Sequence, residues 1–272
     1  MAESLVSQAG AGWSQFYQAG TLSWVAPLSV DAAYLDRMAR SEWIVRLLEL
    51  AGLGAPAGQH ILEAGCGVGL YALALSRLGF RVAAFDYNPQ AVDLAERIRE
   101  RVGLPAAQVS FTVDNLLAIQ APDSCYDLVF NQAVLEYFCD ERELDQALEE
   151  MIRVLAPGRK LVLIVQNTRH PLRGIKRMLG WRGFENQPPV RSISAGDLQR
   201  RLRARGLVQV QVDGIDPWKG LFHGIPVFTR TRAAHTLTYL AHRGLQRLVP
   251  LPRAIRSRLA VQFIVAGQKP TA

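Results

Sequence analysis

The sequence predicts an α/β fold: a seven-stranded, mostly parallel sheet with helices on both faces. Three observations carry this. From residue 60 onward, short apolar runs alternate with helical patterns. Most of those runs are apolar almost throughout, as strands covered on both faces must be. A glycine-rich turn, Gly65-Cys66-Gly67-Val68-Gly69, directly follows the first run and opens a helix.

Residues 1–30 carry Trp13, Phe16, Tyr17 and Trp24 among small and polar residues, which reads as an irregular arm or a short helix. Residues 31–51 place Leu35, Met38, Trp43, Ile44, Leu47 and Leu48 at helical spacing, with Asp31 to cap the start and Gly52 to end it. HILEAG (60–65) is the first strand, 70–78 a helix closed by Gly79, and RVAAFD (81–86) the second strand. The next helix, 89–101, has Asn88 as its cap and Pro89 in its first turn. VSFTVD (109–114) and YDLVFNQ (126–132) are the third and fourth strands, followed by a helix over 143–155 and the fifth strand KLVLIVQ (160–166). Residues 168–193, rich in Arg, Pro and Gly, read as loop. Ser194 with Asp197 starts a helix that runs to Arg205. LVQVQVD (207–213) alternates as a half-exposed strand would, LAVQFIVAG (259–267) is the last strand, and a long basic insertion spans 214–258.

Composition fits a globular chain: 49% of residues are apolar and 20% charged. No run of 18 apolar residues is present, and MAESLVSQAG lacks the basic start and apolar core of a secretory signal, so the expected compartment is cytoplasmic. Cys66, Cys125 and Cys139 are odd in number and have no metal-ligand spacing, so neither a disulfide framework nor a metal site is expected. The net charge of +7 hides an asymmetry. Residues 1–165 hold 12 Lys/Arg against 20 Asp/Glu, whereas 166–272 hold 19 against 4. The second part is either a solvated basic surface or a face for an anionic partner.

The chemistry concentrates around the first turn. Its glycines allow backbone angles closed to other residues and let a ligand approach the main chain. Glu63 precedes Gly65 by two residues, and Asp86 ends the next strand, where a carboxylate can accept from ribose hydroxyls. Leu70 stands where a dinucleotide fingerprint has its third Gly or Ala.

Residues 61–69 (ILEAGCGVG), Asp86 in AFDYNP, Asp114 in FTVDN, 126–137 (YDLVFNQAVLEY) and 155–164 (LAPGRKLVLI) come in the order and spacing of a known motif set. Over roughly residues 55–170 the chain resembles the class I S-adenosylmethionine (SAM)-dependent methyltransferases, in their broad small-molecule branch. The resemblance implies a Rossmann-like sheet whose last strand is antiparallel, a helical arm or lid over 1–52, and a SAM-binding domain over 53–272 with basic insertions at 168–193 and 214–258. It implies methyl transfer from SAM, by in-line displacement, to an oxygen, nitrogen or carbon of a small-molecule or lipid-like acceptor, anionic in one version.

Roles follow residue by residue. Glu63 would orient the amino end of SAM through the loop or a water, and Gly65 and Gly67 would let its methionine part lie on the backbone, with Cys66 a small filler between them. Asp86 would hold the ribose and Tyr87 pack on the adenine. Asp114 would accept from the adenine amino group beside a backbone donor at Asn115. Asn131 would contact the methionine moiety, with Gln132 lining the same mouth. A general base is needed only where the acceptor must lose a proton; His170 is the first candidate, with Glu136, Tyr137 and His223 on the acceptor side. Tyr17, with Trp13 and Trp24, could close over SAM.

Two other functions compete. An NAD(P)-dependent oxidoreductase is opposed by Leu70 and by the absence of a Tyr-x-x-x-Lys relay. A non-catalytic SAM-binding partner subunit is opposed by the intact loop with Asp86 and Asp114. Nucleic acid is not expected as acceptor, because Asn131-Gln132-Ala133 departs from the Asn/Asp-Pro-Pro-aromatic pattern and no RNA-binding module is attached. The stretch 226–258 spaces Leu237, Leu240, Leu245 and Leu248 helically among basic residues. It reads either as a cap over the mouth with a solvated basic face or as a peripheral contact to an anionic membrane.

Overall fold

The computed structural model describes residues 30–171, 191–218 and 248–271, with 175, 178, 240, 241, 244 and 245 between them. The elements are α1 (Ala32–Ala39), α2 (Glu42–Ala51), β1 (His60–Ala64), α3 (Leu70–Arg77), β2 (Arg81–Asp86), α4 (Pro89–Arg101), β3 (Val109–Val113), β4 (Tyr126–Gln132), α5 (Glu141–Val154), β5 (Leu155–Gln166), α6 (Ala195–Ala204), β6 (Val208–Ile215), α7 (Arg253–Leu259) and β7 (Gln262–Gln268). A short 3-10 turn, Leu135–Tyr137, follows β4.

The sheet is seven-stranded with order β3-β2-β1-β4-β5-β7-β6. Strands β1 to β5 pair in parallel, and β7 runs antiparallel to both neighbours. The chain therefore builds outward from β1 on one side and from β4 on the other. The crevice at the carboxyl ends of β1 and β4 is the switch point where such sheets take ligands. Alternation along each strand sorts two cores: Ile61, Phe130 and Ile164 face α1–α4, while Leu62, Val129 and Leu163 face α5 and α6.

Local chemistry explains most boundaries. Asn88 accepts from the amides of Gln90 and Ala91 at the start of α4, and Pro89 fills its first position. Ser194 Oγ accepts from Asp197 N at the start of α6. Asp140 caps α5 through Arg142 N, so that helix begins at Glu141, two residues before the start expected from the sequence.

Other expectations change. The helix expected over 31–51 is two helices, broken at Arg40 and Ser41. Buried Ala39 and Ile44 are five residues apart, which in one helix would carry the apolar stripe well off its face; the break takes up the extra residue. Leu35, Ile44 and Leu47 are fully buried in the same core as α3. β6 does not alternate: its first two residues are exposed, the next three half-buried and its last three buried. A register shift between Val208 and Gln211, with Gln209 at φ 50°, disrupts its start. Within the expected 214–258 insertion, β6 continues to Ile215 and α7 packs on it. There Arg256 pairs with Asp213, which is 1% exposed, through Nε at 2.8 Å and Nη2 at 2.5 Å.

Candidate active site

The loop after β1 is shaped by hydrogen bonds to its own backbone. The amides of Gly65 and Cys66 both donate to the Phe85 carbonyl, at 2.9 and 2.8 Å. Asp86 Oδ2 accepts from Gly67 N at 2.7 Å, and its Oδ1 accepts from Asn88 N at 2.9 Å. Gly65, Gly67 and Gly69 all have positive φ. Gly69 offers α3 no capping side chain, and Glu63 supplies the missing acceptor: its Oε2 takes Ala72 N at 2.9 Å. Glu63 is thus tied to the loop from beneath.

Burial raises the carboxyls of Glu63 and Asp86 above their ordinary range, Glu63 strongly, and the charge of Asp86 adds to the effect on Glu63. Main-chain donors at Asn88 and Gly67 act the other way on Asp86. Among the described residues, no ion pair involves either acid. Cys66 is buried and its thiol is pushed well up by burial and by both acids, so it is a filler rather than a nucleophile.

Tyr87, at the tip of β2, is 50% exposed, leaving its ring available for stacking. Asp114 accepts from the amides of Asn115 and Gln120, and Asn115 Oδ1 from Leu117 N, so both fix the turn after β3. Asn131 is fully buried. Its Nδ2 donates to the Ala64 carbonyl at 2.5 Å, joining β4 to β1, and its Oδ1 has no partner. Gln132 Nε2 donates to Gln262 Oε1 at 3.3 Å, bringing β7 to the mouth.

His170 is 7% exposed and its Nε2 lies 2.9 Å from the Leu259 carbonyl. A carbonyl only accepts, so that nitrogen carries the proton. Asn167 Nδ2 meets the carbonyls of Arg258 and Ala260 beside it, both at 3.0 Å. Together they clamp the end of α7 to the end of β5. Tyr137 is buried, and desolvation followed by Glu136 raises its phenol, which unsuits it as a base. Tyr17, Trp13, Trp24 and His223 lie outside the described residues.

Sequence reasoning missed part of the mouth. Trp43 Nε1 donates to Asp216 Oδ2 at 3.2 Å, and Trp43 meets Tyr71 edge-on at 6.2 Å. Ala133 and Asp216 hold positive φ just beyond β4 and β6, strain of the kind that collects at functional sites. Only Gln262 left a trace in the sequence, as a polar residue inside the apolar run LAVQFIVAG, and the structure starts β7 there rather than at Leu259.

Glu136 is fully buried. Its Oε1 accepts from Gln166 N at 2.7 Å, while its Oε2 has no partner. Desolvation lifts its carboxyl from 4.5 to about 7. The folded state therefore favours the protonated form, and this group's contribution to stability falls as pH rises from about 4.5 to about 7. Glu136→Gln, which keeps an acceptor for Gln166 N, is expected to remove that slope. Urea unfolding at pH 5 and pH 8 measures it: the native chain should lose roughly 3 kcal/mol more than the variant across the interval. Equal losses in both would reject this assignment.

A family model described as "Methyltransferase domain" matches residues 61–158. The chain is 30% identical over 190 residues to a ubiquinone biosynthesis O-methyltransferase of Xanthomonas euvesicatoria pv. vesicatoria, covering 66% of this chain and 74% of that protein. It is 29% identical over 170 residues to one of Methylocella silvestris, covering 60% of this chain and 64% of that protein, so it spans less than two thirds of that relative's length. Among solved structures, a SAM-dependent methyltransferase of Methanosarcina mazei shares the fold with a TM-score of 0.54 at 19% identity, covering 85% of this chain and 98% of that one.

Proposed function

We infer the reaction from one premise: this chain belongs to the class I SAM-dependent methyltransferases. It moves the methyl group of SAM to a small-molecule acceptor, and the O-methyltransferase names of the relatives favour an oxygen as the receiving atom. When bound, SAM supplies a methyl already activated by its sulfonium, open to displacement in line with the departing sulfur.

The observation that carries this reading is the charge of the crevice. Glu63 and Asp86 are acids without a cationic partner among the described residues, and Asn131, tied to Ala64 at the end of β1, keeps a buried oxygen without a partner. A ligand bearing a sulfonium and an ammonium complements those groups. Asp86 would hold the ribose hydroxyls with the lone pairs left over from Gly67 and Asn88, and Tyr87 would cover the adenine. Asp114 would take the adenine amino group while it fixes its own turn. Gln132 and Gln262 present amide groups to the acceptor side, where they can orient a hydroxyl or carbonyl. His170 acts as a positioning residue through α7.

Calorimetric titration of the purified chain tests the reading. SAM and S-adenosylhomocysteine are expected to bind with dissociation constants in the range of about 1–100 μM, and NADH to give no heat. Well-folded protein that takes up NADH and neither sulfur nucleoside would defeat it.

A further inference from the structure

We propose that the surface carrying Leu240, Leu248, Val249, Arg253, Ile255 and Arg258 docks on an anionic lipid bilayer. The charge is one-sided to an unusual degree: residues 217–272 hold nine Lys/Arg and no Asp or Glu. Of the basic groups on α7, Arg256 is committed to Asp213; Arg253 lies 3.7 Å from the same carboxylate and donates to Gln211 but is exposed, as is Arg258. Asp213 answers part of the charge of α7, and because the stretch has no acid of its own the remainder stays net positive toward solvent.

The same face shows apolar side chains to solvent. Leu248 is 81% exposed, Leu240 59%, Ile255 44% and Val249 43%. Leu240, Ala241, Gly244, Leu245 and Leu248 are helical, and Leu240 and Leu248 are both exposed. Exposed leucines set among arginines are what an interfacial helix presents, the apolar groups entering the acyl boundary and the cations meeting headgroup phosphates.

A bilayer is the occupant that satisfies both halves of the pattern. RNA would use the cations and leave the leucines in water. The face also borders the mouth, because Asn167 and His170 join the end of α7 to the carboxyl end of β5. A membrane-dissolved acceptor would then reach the crevice without crossing bulk water. Docking stands apart from the methyl-transfer reading, since a chain that failed to bind SAM could still bind vesicles.

The test uses the full chain, sedimented with vesicles of phosphatidylcholine alone or with one third phosphatidylglycerol. At low salt the protein is expected to go down with the phosphatidylglycerol vesicles and stay in solution with the neutral ones. Leu240→Asp/Leu248→Asp, at two exposed positions, should weaken vesicle binding by at least about tenfold while leaving SAM calorimetry unchanged. Failure of the native chain to bind phosphatidylglycerol vesicles at low salt overturns the proposal. So does undiminished binding by the double variant, or displacement of the vesicles by single-stranded RNA at matched phosphate.

Discussion

Asp86→Ala is expected to weaken SAM binding by about a thousandfold, or ~4 kcal/mol, with the fold intact. Two losses combine. The carboxylate holds Gly67 N and Asn88 N, so removing it frees the loop that the ligand must lie against. In the proposed reading it also accepts from the ribose, and hydrogen bonds to a charged acceptor contribute about 1.5–3 kcal/mol each. Asp86→Asn separates the two: the amide keeps the volume and one acceptor, and should cost about half as much. The fold survives because burying Asp86 is itself unfavourable, as its raised carboxyl indicates. Calorimetry on both variants, with unfolding midpoints as the control, decides the matter. An affinity within threefold of the native chain would remove Asp86 from the site.

Gly69→Val is expected to lower stability by about 4 kcal/mol, the largest loss foreseen for a single change in this loop. A Cβ at Gly69 would lie 2.3 Å from Phe111 Cε1, 2.6 Å from its Cζ and 3.1 Å from the Ala95 Cβ. Phe111, on β3, is 7% exposed and packed in the same core as Val92, Ala95 and Ile98 of α4, so the ring has nowhere to go. A positive φ of 71° adds about 1–2 kcal/mol for any L side chain. Gly103 provides the internal comparison: it has the same φ of 71° with nothing within 4 Å of its would-be Cβ. Gly103→Ala should therefore show the backbone cost alone, about 1–2 kcal/mol in urea unfolding. If the two substitutions cost the same, the clash with Phe111 is not real.

The parallel half of the sheet was legible in the sequence because its strands are buried on both faces and punctuated by caps and glycines. β2 and α4 fall where RVAAFD and the Asn88-Pro89 start placed them. Readings failed where tertiary contacts decide the outcome. The alternation of LVQVQVD suggested one wet face, yet burial of β6 follows its position along the strand, with α7 packed against it. α7 itself was hidden because none of its residues is buried, so it leaves no apolar stripe. The site divides the same way. Gly65–Gly69 and Asp86 lie close in sequence and announce themselves through residue type. Gln262 and Asp216 arrive from the distant end of the chain, and the positive φ of Ala133 has no signature in composition. His170 invited a catalytic reading because an imidazole near a mouth suits proton transfer; only the Leu259 carbonyl reveals the other use.

The placement of β7 between β5 and β6 governs the order of assembly. During synthesis β6 emerges with no ladder partner and must wait for residues 262–268 before it can join the sheet. The half built from β1 to β5 needs nothing that late, since its pairings close between strands already made. On the ribosome the nucleoside-binding half can therefore condense first, while the half that shapes the acceptor side docks last, through its most sequence-distant contacts.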